Sequence, residues 1–315
     1  MSAPAAEGNR VDWDILPSSV AASIEQVCGS PVVEARTQPG GFSPGVAARV
    51  RCADGTRHFV KAVSARANPD TPGIHRREGR ILQALDPFAA ANRLPIARLR
   101  GVVEEDPWIA LVLEEVDGRT PSLPWVPGEL DRLLGAVDAL GEALTPAPIR
   151  VVGIGDSLGD SFTGWRKLAA TPDDRLDAWS RDHVDELAEL ELTWGSQAAG
   201  TTLLHTDIRA DNVLLTDDRV VFVDWPYACR GAAFVDVVFL APSVAMQGGP
   251  SPADLLAMTR AGRSADRHAL AATVCALAGY FTQRSLEPPP PGIPAVRAFQ
   301  AAQGEITRHW LADLI

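Results

Sequence analysis

Polar residues that could perform chemistry are concentrated in the stretch LLHTDIRADNVLL, residues 203–215. This stretch holds His205, Asp207, Asp211 and Asn212 between two apolar pairs. The apolar ends indicate burial, whereas unpaired acidic groups cost free energy when they are buried. A polar turn, a metal cage and the catalytic loop of a phosphoryl-transfer enzyme are three structures that such a stretch could form.

A second aspartate that could join this group is Asp224, at the end of the apolar strand pattern VVFVDW, residues 220–225. An asparagine and an aspartate near the ends of two strands can direct their oxygens to one Mg²⁺, because a cation that also binds phosphate needs only one or two protein ligands. Asn212 and Asp224 are therefore candidate metal ligands. Asp207 would lie beside the metal, where it could accept or orient the proton of a hydroxyl group. We expect His205 to brace the loop through hydrogen bonds.

Other kinds of site fit this stretch less well. An EF-hand requires alternating acidic ligands followed by a glycine and a distal glutamate, and DIRADN lacks that order. A zinc site requires more histidine or cysteine nearby than His205 alone provides. A serine hydrolase requires a Gly-x-Ser-x-Gly turn between a strand and a helix, and the nearest sequence, GDSLG at 155–159, lies in an irregular segment.

Three features earlier in the chain could bind nucleotide phosphates. The turn QPGGFSPGV contains Gly41, whose backbone can approach a phosphate closely, and Ser43, which could add a hydroxyl group. The turn is not a P-loop, because no Gly-Lys-Ser/Thr follows it. Lys61 lies in the next apolar strand and is one of only two lysines among 29 basic residues, which suits a compact ammonium facing phosphates. Glu78, in the following helical pattern, could pair with Lys61. Taken singly, these features also fit a hairpin turn, an edge-strand lysine and a solvated glutamate.

The elements that must position these residues form a strand-rich first part and a helical second part. Residues 17–29 are predicted to form a short helix that ends at Gly29. The patterns PVVEART, GVAARVRC, RHFVKAV, ARLRGVVEED and PWIALVLEEV predict strands, with a hairpin turn at ADG and a helix at IHRREGRILQALD. Helical patterns dominate after residue 128, apart from a predicted loop at 147–164. We expect residues 1–15 to form a loose tail.

Composition and charge exclude several classes of function. The chain has 315 residues, of which 46% are hydrophobic, and this length is sufficient for two lobes with cores. Its net charge of −11 argues against nucleic acid as a partner and is compatible with a cationic small substrate. No apolar run reaches the roughly 18 residues of a membrane span, and no secretory signal pattern is visible. The four dispersed cysteines form no CxxC pair. We expect a cytoplasmic protein with reduced thiols and no nucleic acid, membrane or protein partner.

Together the motifs resemble those of the aminoglycoside phosphotransferase family, a group of protein-kinase-like small-molecule kinases. HTDIRADN is similar to the catalytic loop of that family, and VDW is similar to its metal-binding segment. Four earlier segments resemble further motifs of the family. GGFSPGVA resembles its nucleotide loop and FVKA its phosphate lysine, while the helix of Glu78 resembles the one with its pairing glutamate and LVLEEVDG resembles its hinge. The run from Gly231 to Asp236 resembles a later Gly-x4-Asp pattern. The similarity extends from about residue 35 to residue 245, most of the chain.

Three features depart from related kinases. Thr206 stands where the family often has glycine, and Pro226 follows the tryptophan of VDW and should stiffen that segment. No activation segment with an Ala-Pro-Glu signature follows, which argues against a kinase that phosphorylates proteins.

The resemblance implies an α+β fold with the two lobes of a protein kinase. A small antiparallel β-sheet lobe with one helix would span residues 1–116, and a larger, mostly α-helical lobe would span residues 117–315. ATP, with GTP as the alternative, would bind in the cleft between them together with Mg²⁺. Backbone groups of Glu114 and Val116 would hold the adenine.

The resemblance also implies roles for the catalytic residues. Asp207 would be the catalytic base or would position the acceptor hydroxyl. Asn212 and Asp224 would bind Mg²⁺, and Asp236 would be structural, joining the helical lobe to the catalytic loop.

The acceptor is the least determined part of this interpretation. The loop GIGDSLGDSFTGW offers Asp156, Asp160 and Trp165, which could hold a polyamine sugar through charge and stacking, or it could be a variable surface loop. We expect a phosphotransferase that acts on a hydroxyl group of an aminoglycoside-type or other antibiotic, because the chain is acidic. Phosphorylation would add negative charge to such a drug and weaken its binding to RNA, giving antibiotic resistance.

Two alternative functions stay open. One is a kinase of a hydroxylated metabolite such as choline, an amino sugar or a homoserine-like compound. The other is a non-catalytic pseudokinase that binds nucleotide. The intact set of Lys61, Glu78, Asp207, Asn212 and Asp224 counts against the pseudokinase, since a protein without catalysis need not keep them all.

Overall fold

The first part of the chain folds into one five-stranded antiparallel sheet. The computed structural model describes residues 10–39, 41 and 44–315. The strands are β1 (Val32–Thr37), β2 (Val46–Cys52), β3 (Arg57–Ser64), β4 (Leu99–Glu105) and β5 (Trp108–Glu114). Their order in the sheet is β1-β2-β3-β5-β4, and every neighbouring pair is antiparallel. The predicted strands and the hairpin at residues 53–55 are confirmed.

Two helices cover the two faces of this sheet. Helix α1 (Ser18–Cys28) packs against the face that carries Val60 and Ala62, and helix α2 (Thr71–Asn92) packs against the opposite face. Side chains alternate between the faces of a strand, so Lys61, between these two residues, points to the side of α2. In this way the strand register determines which face carries the lysine.

Part of the predicted loose tail is ordered. Residues Trp13–Ile15 form a single turn of 3-10 helix, and the Val11 amide donates to the Gly45 carbonyl over 3.1 Å. Val11 and Trp13 pack against the core between α1 and the sheet. The prediction of a loose tail is therefore wrong for residues 10–15, because apolar side chains there have a buried surface to cover.

The second part of the chain is mostly helical. Its helices are α3 (Pro127–Ala143), α4 (Ile154–Leu158), α5 (Gly164–Ala170), α6 (Ala178–Gln197), α7 (Phe234–Met246), α8 (Pro252–Met258), α9 (Arg260–Arg263), α10 (Arg267–Ser285) and α11 (Val296–Ala312). Two small antiparallel sheets of two strands accompany them, formed by β6 (Thr202–Leu204) with β9 (Cys229–Gly231) and by β7 (Val213–Leu215) with β8 (Val220–Phe222). The predicted α+β class, with a strand-rich and a helical part, is confirmed. The predicted boundary after residue 116 stays a prediction.

Helices α7 and α10 form the centre of the helical part. Both are buried on nearly all sides, and α10 contacts α5, α6, α7 and α11. The segment 147–164, predicted as a loop, contains α4. Ile154 is buried there and Gly155 lies against Gly195 of α6, so packing stabilises a helical turn in a glycine-rich sequence. Among the described residues, no helix is long and apolar enough to cross a membrane.

The close approach of α5 to α10 generates a stability prediction. A methyl group added at Gly164 would lie 1.9 Å from the carbonyl oxygen of Gly279, so Gly164→Ala should force the two helices apart. We expect a loss of about 1–3 kcal/mol in the free energy of unfolding, measured by urea denaturation. The matched control is Gly135→Ala, at an exposed position of α3 with open space around it, which should stabilise by about 1 kcal/mol. Equal effects of the two substitutions would contradict this packing argument.

Candidate functional site

A cavity of about 980 Å³ lies between the sheet and the helical part. The residues predicted for nucleotide and metal binding that line it are Gly41, Lys61, Glu78, Glu114, Val116, Asn212 and Asp224. Their convergence from both parts of the chain makes this cavity the candidate active site, since a large concave pocket with convergent polar groups is the expected form of such a site.

Lys61 is held at the cavity wall by two carboxylates from different elements. Its Nζ donates to Glu78 Oε1 and Oε2 over 2.8 and 3.0 Å, and to Asp224 Oδ1 over 3.0 Å. Glu78 is fully buried in α2, whereas Asp224 follows β8. The pairing of Lys61 with Glu78 that the sequence suggested is present, and Lys61 also joins the sheet to the metal-binding segment.

Burial and charge act against each other on this ion triad. Burial by itself would lower the pKa of Lys61, but the carboxylates of Asp224 and Glu78 outweigh burial and raise it. Burial would raise the pKa of Asp224, and the Lys61 ammonium outweighs that effect, so the pKa is about 2. Lys61 is thus a cation and Asp224 an anion at neutral pH, as phosphate and metal binding require.

Asp207 and Asn212 are joined directly in the loop after β6. The Nδ2 of Asn212 donates to the Asp207 backbone oxygen over 2.8 Å and to Asp207 Oδ2 over 3.0 Å. Both hydrogen bonds of this amide nitrogen go to Asp207, so the Oδ1 oxygen of Asn212 is the side-chain atom left for a metal. The Val223 amide donates to the Asn212 carbonyl over 3.0 Å, which places Asn212 next to the segment of Asp224.

His205 and Asp236 hold this loop in position. Burial lowers the pKa of His205 to about 4, so the ring is neutral. Its Nδ1 accepts from the Asp207 amide over 3.2 Å, and its Nε2 donates to the Val223 carbonyl over 3.0 Å. Asp236, in the first turn of α7, accepts from the amides of His205 and Thr206 over 3.0 and 2.7 Å. These contacts agree with the bracing roles expected for His205 and Asp236.

Arg209 is a site residue that sequence reasoning missed. It donates to Asp207 Oδ1 over 2.5 Å and to both oxygens of Asp211 over 3.0 and 2.9 Å. Arg209 is the extended residue before a 3-10 turn, Ala210–Asn212, and its guanidinium lies between the carboxylates of Asp207 and Asp211. The alternation of acid, base and acid at every second position was the signal that could have identified it.

The surroundings of Asp207 contain the only two tyrosines of the chain, Tyr227 and Tyr280. Burial is the main cause that raises the pKa of both tyrosines, and the charge of Asp207 acts in the same direction on each. Burial also raises the pKa of Asp207 to about 7, although Arg209 beside it acts in the opposite sense. Two hydroxyl groups and a carboxyl group of raised basicity thus share one partly enclosed region.

Arginines occupy the same region. The charges of Arg284, Arg297 and Arg209 all act on Tyr280, and the Arg284 guanidinium lies 5.9 Å from the centre of the Tyr280 ring. Arg77 lies 6.0 Å from the centre of the Tyr227 ring. Arg284 and Arg297 are both ion-paired with Glu287, over 2.9 and 3.0 Å, whereas the charged groups that act on Asp207 itself are the cation of Arg209 and the anions of Asp211 and Asp224.

The glycine-rich turn borders the cavity at Gly41, which has a φ of 75°. At the end of the turn, a methyl group added to Gly45 would lie 2.4 Å from the Ala62 carbonyl oxygen, so glycine is required there by close packing on β3. Ser43, predicted to contact the nucleotide, lies outside the described residues.

The segment after β5 forms an apolar slot at the far end of the cavity. Glu114 and Val116 line it together with Ala47, Leu214 and Val223. The Glu114 amide already donates to the Arg98 carbonyl over 2.8 Å, so it is not the group that would bind a base. A flat aromatic base would fit between such apolar walls while hydrogen-bonding to this backbone.

Two further residues of the cavity were not found from the sequence. Arg10 lies in the segment predicted as a tail, yet burial lowers its pKa while the charges of Asp224 and Asp211 raise it. A methyl group at Gly41 would lie 2.5 Å from the Arg10 guanidinium, so this side chain lies against the glycine-rich turn. His75 of α2 also lines the cavity, and burial lowers its pKa to about 4. No local motif surrounds either residue in the sequence.

The chemistry of Asn212 and Asp224 fits a hard divalent cation. Both offer oxygen, Asp224 is ionised, and both border the cavity in which Lys61 supplies positive charge for phosphates. Mg²⁺ prefers carboxylate, carbonyl and water oxygens and retains several non-protein ligands.

The predicted acceptor residues are not at this cavity. Trp165 is fully buried, and its Nε1 donates to the Cys275 carbonyl over 2.9 Å, so it cannot stack on an acceptor. That prediction is wrong, because the indole fills the space between α5 and α10. Asp156 and Asp160 are exposed near α4 and do not belong to the cavity lining.

Comparisons with known proteins agree with this architecture. The phosphotransferase enzyme family matches residues 41–272. An aminoglycoside phosphotransferase from Alicyclobacillus acidocaldarius is 16% identical over 95% of both chains, with a TM-score of 0.57. A choline kinase from Streptococcus pneumoniae is 12% identical over 92% of this chain and 100% of that chain, with a TM-score of 0.60.

A third similar structure is an amicoumacin kinase solved with AMP-PNP and Ca²⁺. It is 11% identical over 84% of this chain and 85% of that chain, with a TM-score of 0.52. At such low identities, these structural similarities show a shared fold and nothing more specific. The predicted two-lobed, protein-kinase-like architecture is confirmed. No curated protein matches the chain by sequence.

The position of Arg10 generates a test of the cavity. We expect Arg10→Ala to weaken MgATP binding by about 10- to 100-fold, since a hydrogen bond to a charged group contributes about 1.5–3 kcal/mol. Isothermal titration calorimetry measures this affinity directly. The control is Arg36→Ala, which removes an arginine exposed on β1. Equal MgATP affinity of the wild type and Arg10→Ala would show that Arg10 does not bind phosphate.

Proposed function

The chain belongs to the phosphotransferase enzyme family, the one that its sequence motifs resemble, and on that premise we propose that it transfers the γ-phosphate of ATP to a hydroxyl group of a small molecule. The observation that supports this proposal most directly is the triad of Lys61, Glu78 and Asp224 beside the hydrogen-bonded pair of Asp207 and Asn212. The first group is suited to hold a triphosphate and a cation, and the second to handle the proton of an acceptor.

Nucleotide binding rests on Lys61 and the apolar slot. Glu78 uses both oxygens to orient the Lys61 ammonium, so the cation is already positioned for the phosphates when the nucleotide enters. The slot at Glu114 and Val116 suits adenine, and GTP stays the alternative. The similar amicoumacin kinase, solved with AMP-PNP and Ca²⁺, supports a nucleotide together with a divalent cation.

Asn212 and Asp224 would hold Mg²⁺ at this site. When bound, Mg²⁺ neutralises negative charge on the transferring phosphate. Asp224 accepts from Lys61 through Oδ1, and we assign its other carboxylate oxygen as the metal ligand. Thr206 and Asp224 both have a positive φ, of 64° and 70°, and these conformations hold the catalytic loop and the metal segment in their orientations.

Asp207 acts on the acceptor. The acceptor oxygen forms a bond to the γ-phosphorus, the bond from that phosphorus to the β–γ bridging oxygen breaks, and the acceptor proton passes to Asp207 or through it to solvent. Arg209 and Asn212 each hold one oxygen of Asp207, so the carboxylate is oriented before the acceptor arrives. The products are a phosphate monoester and ADP.

The acceptor region has two candidate chemistries. Net charge favours a cationic acceptor such as an aminoglycoside-type antibiotic, as does the similar aminoglycoside phosphotransferase. The two tyrosines on which the charge of Asp207 acts, Tyr227 and Tyr280, favour instead an acceptor that packs on aromatic rings, whereas Arg284 and Arg297 are already ion-paired with Glu287. We give more weight to the local arrangement, since charges beyond about 8–10 Å are screened at physiological ionic strength. A hydroxylated metabolite then becomes the leading candidate.

The proton-accepting role of Asp207 can be separated from nucleotide binding. We expect Asp207→Asn to lower kcat by about 10²- to 10⁴-fold while MgATP affinity changes little, because the residue contacts the acceptor and not the triphosphate. Phosphate transfer is followed with radiolabelled ATP over a panel of aminoglycosides, other antibiotics, choline, amino sugars and hydroxy acids. The control is Asp160→Asn, at an exposed position outside the cavity. A kcat of wild-type size in Asp207→Asn would contradict the assignment.

Substitution of Arg284 tests whether the acceptor carries an anionic group. If the acceptor carries an anionic group, Arg284→Ala should raise its KM about 10-fold and leave the KM for ATP unchanged. Arg267→Ala, at the other end of α10 and exposed, serves as the control. A lower acceptor KM in Arg284→Ala, with turnover of polyamine antibiotics, would instead favour the aminoglycoside-type substrate.

A further inference from the structure

Three side chains with metal-ligating atoms meet on the small sheet, on the face opposite Lys61. They are Cys28, the last residue of α1, Cys52, the last residue of β2, and His58, near the start of β3. Their sulfur and nitrogen atoms all lie within 4.8 Å of one another. His58 pairs with Val50 in the sheet register, so His58 and Cys52 project to the same face, toward α1.

The imidazole of His58 has no hydrogen-bond partner. Its Nδ1 and Nε2 are both buried and both lack a partner. Among the described residues, five buried side-chain nitrogen or oxygen atoms lack a partner, and these are two of them. A buried polar atom left unpaired costs about 1–3 kcal/mol, and here both ring nitrogens are in that condition. The neighbouring sulfurs are weak hydrogen-bond partners, so an ion is the ligand that would satisfy the ring.

We propose that Cys28, Cys52 and His58 bind Zn²⁺ as three protein ligands, with water in the fourth tetrahedral position. Two sulfurs and one imidazole nitrogen are a soft ligand set, which selects zinc over Mg²⁺ or Ca²⁺. Ligand atoms of a tetrahedral zinc site lie about 3.3–3.8 Å apart, because each is about 2.0–2.3 Å from the metal. The three atoms therefore need to approach one another by at most about 1.5 Å. On binding, each thiol releases its proton to solvent and the two thiolates and the neutral imidazole coordinate the ion.

Nearby negative charge adds to the attraction for a dication. The carboxylates of Glu25 and Asp54 both act on the Cys28 thiol. The ion would join the end of α1 to the hairpin of β2 and β3, two elements that the chain itself connects only through β1. Its effect is therefore on the stability of the small sheet and not on phosphate transfer.

The site is tested with Co²⁺ as a spectroscopic probe on the reduced, full-length protein. We expect one Co²⁺ per chain, a thiolate-to-cobalt charge-transfer band in the near ultraviolet, and displacement of that band by one equivalent of Zn²⁺. Zn²⁺ should also raise the Tm of the metal-free protein. Cys52→Ala and His58→Ala should weaken the band and abolish the Tm increase.

The matched control is Cys275→Ala, which removes a buried free cysteine of α10 and should leave the band unchanged. Absence of a charge-transfer band in the reduced wild type overturns the proposal, and this readout does not depend on whether any variant folds. A band of undiminished intensity in Cys52→Ala overturns it as well. So does a native Cys28–Cys52 disulfide, seen as a mass lower by two hydrogen atoms that returns on reduction. None of these readouts uses phosphate transfer, so the zinc site and the proposed function fail independently.

Discussion

The buried ammonium of Lys61 is the interaction on which the cavity depends. It lies between Glu78 of α2 and Asp224 after β8, so one cation holds together the sheet, its covering helix and the helical part. Removing one partner from such a group leaves an uncompensated charge, which costs about 3–5 kcal/mol. The triad therefore satisfies its own charges and also defines how the two parts of the chain face each other.

Hydrogen bonds hold the catalytic loop in position, as the ion triad holds the cavity wall. Asp236 accepts the two amides at His205 and Thr206, and the neutral ring of His205 connects Asp207 to Val223. Three non-glycine residues in the described part of the chain have a positive φ, and Thr206 and Asp224 are two of them. Such conformations cost free energy and persist only where surrounding contacts determine them. Their presence on both sides of the site fits a rigid, preorganised arrangement.

Charge at the site differs from charge over the whole molecule. The chain carries −11, yet Arg209 lies against Asp207, and Arg284 and Arg297 act on the neighbouring Tyr280. Net charge adds residues from every surface and says little about a region only a few ångströms wide. The zinc site proposed on the far face of the sheet is a similar case, since dispersed cysteines without a motif come together only in the folded chain.

The sequence by itself determined the elements and the motif residues. The order of the glycine-rich turn, Lys61 and the helix of Glu78 predicted their pairing, and the spacing of Asp207, Asn212 and Asp224 predicted a shared site, because these patterns are local and match a family motif. Tertiary structure alone decided the rest. It placed Trp165 in the core, brought Arg10 from the predicted tail into the cavity and set Tyr280 of α10 near Asp207. The physical reason is that side-chain contacts between elements distant in sequence depend on how helices and sheets pack, and no local periodicity records that packing.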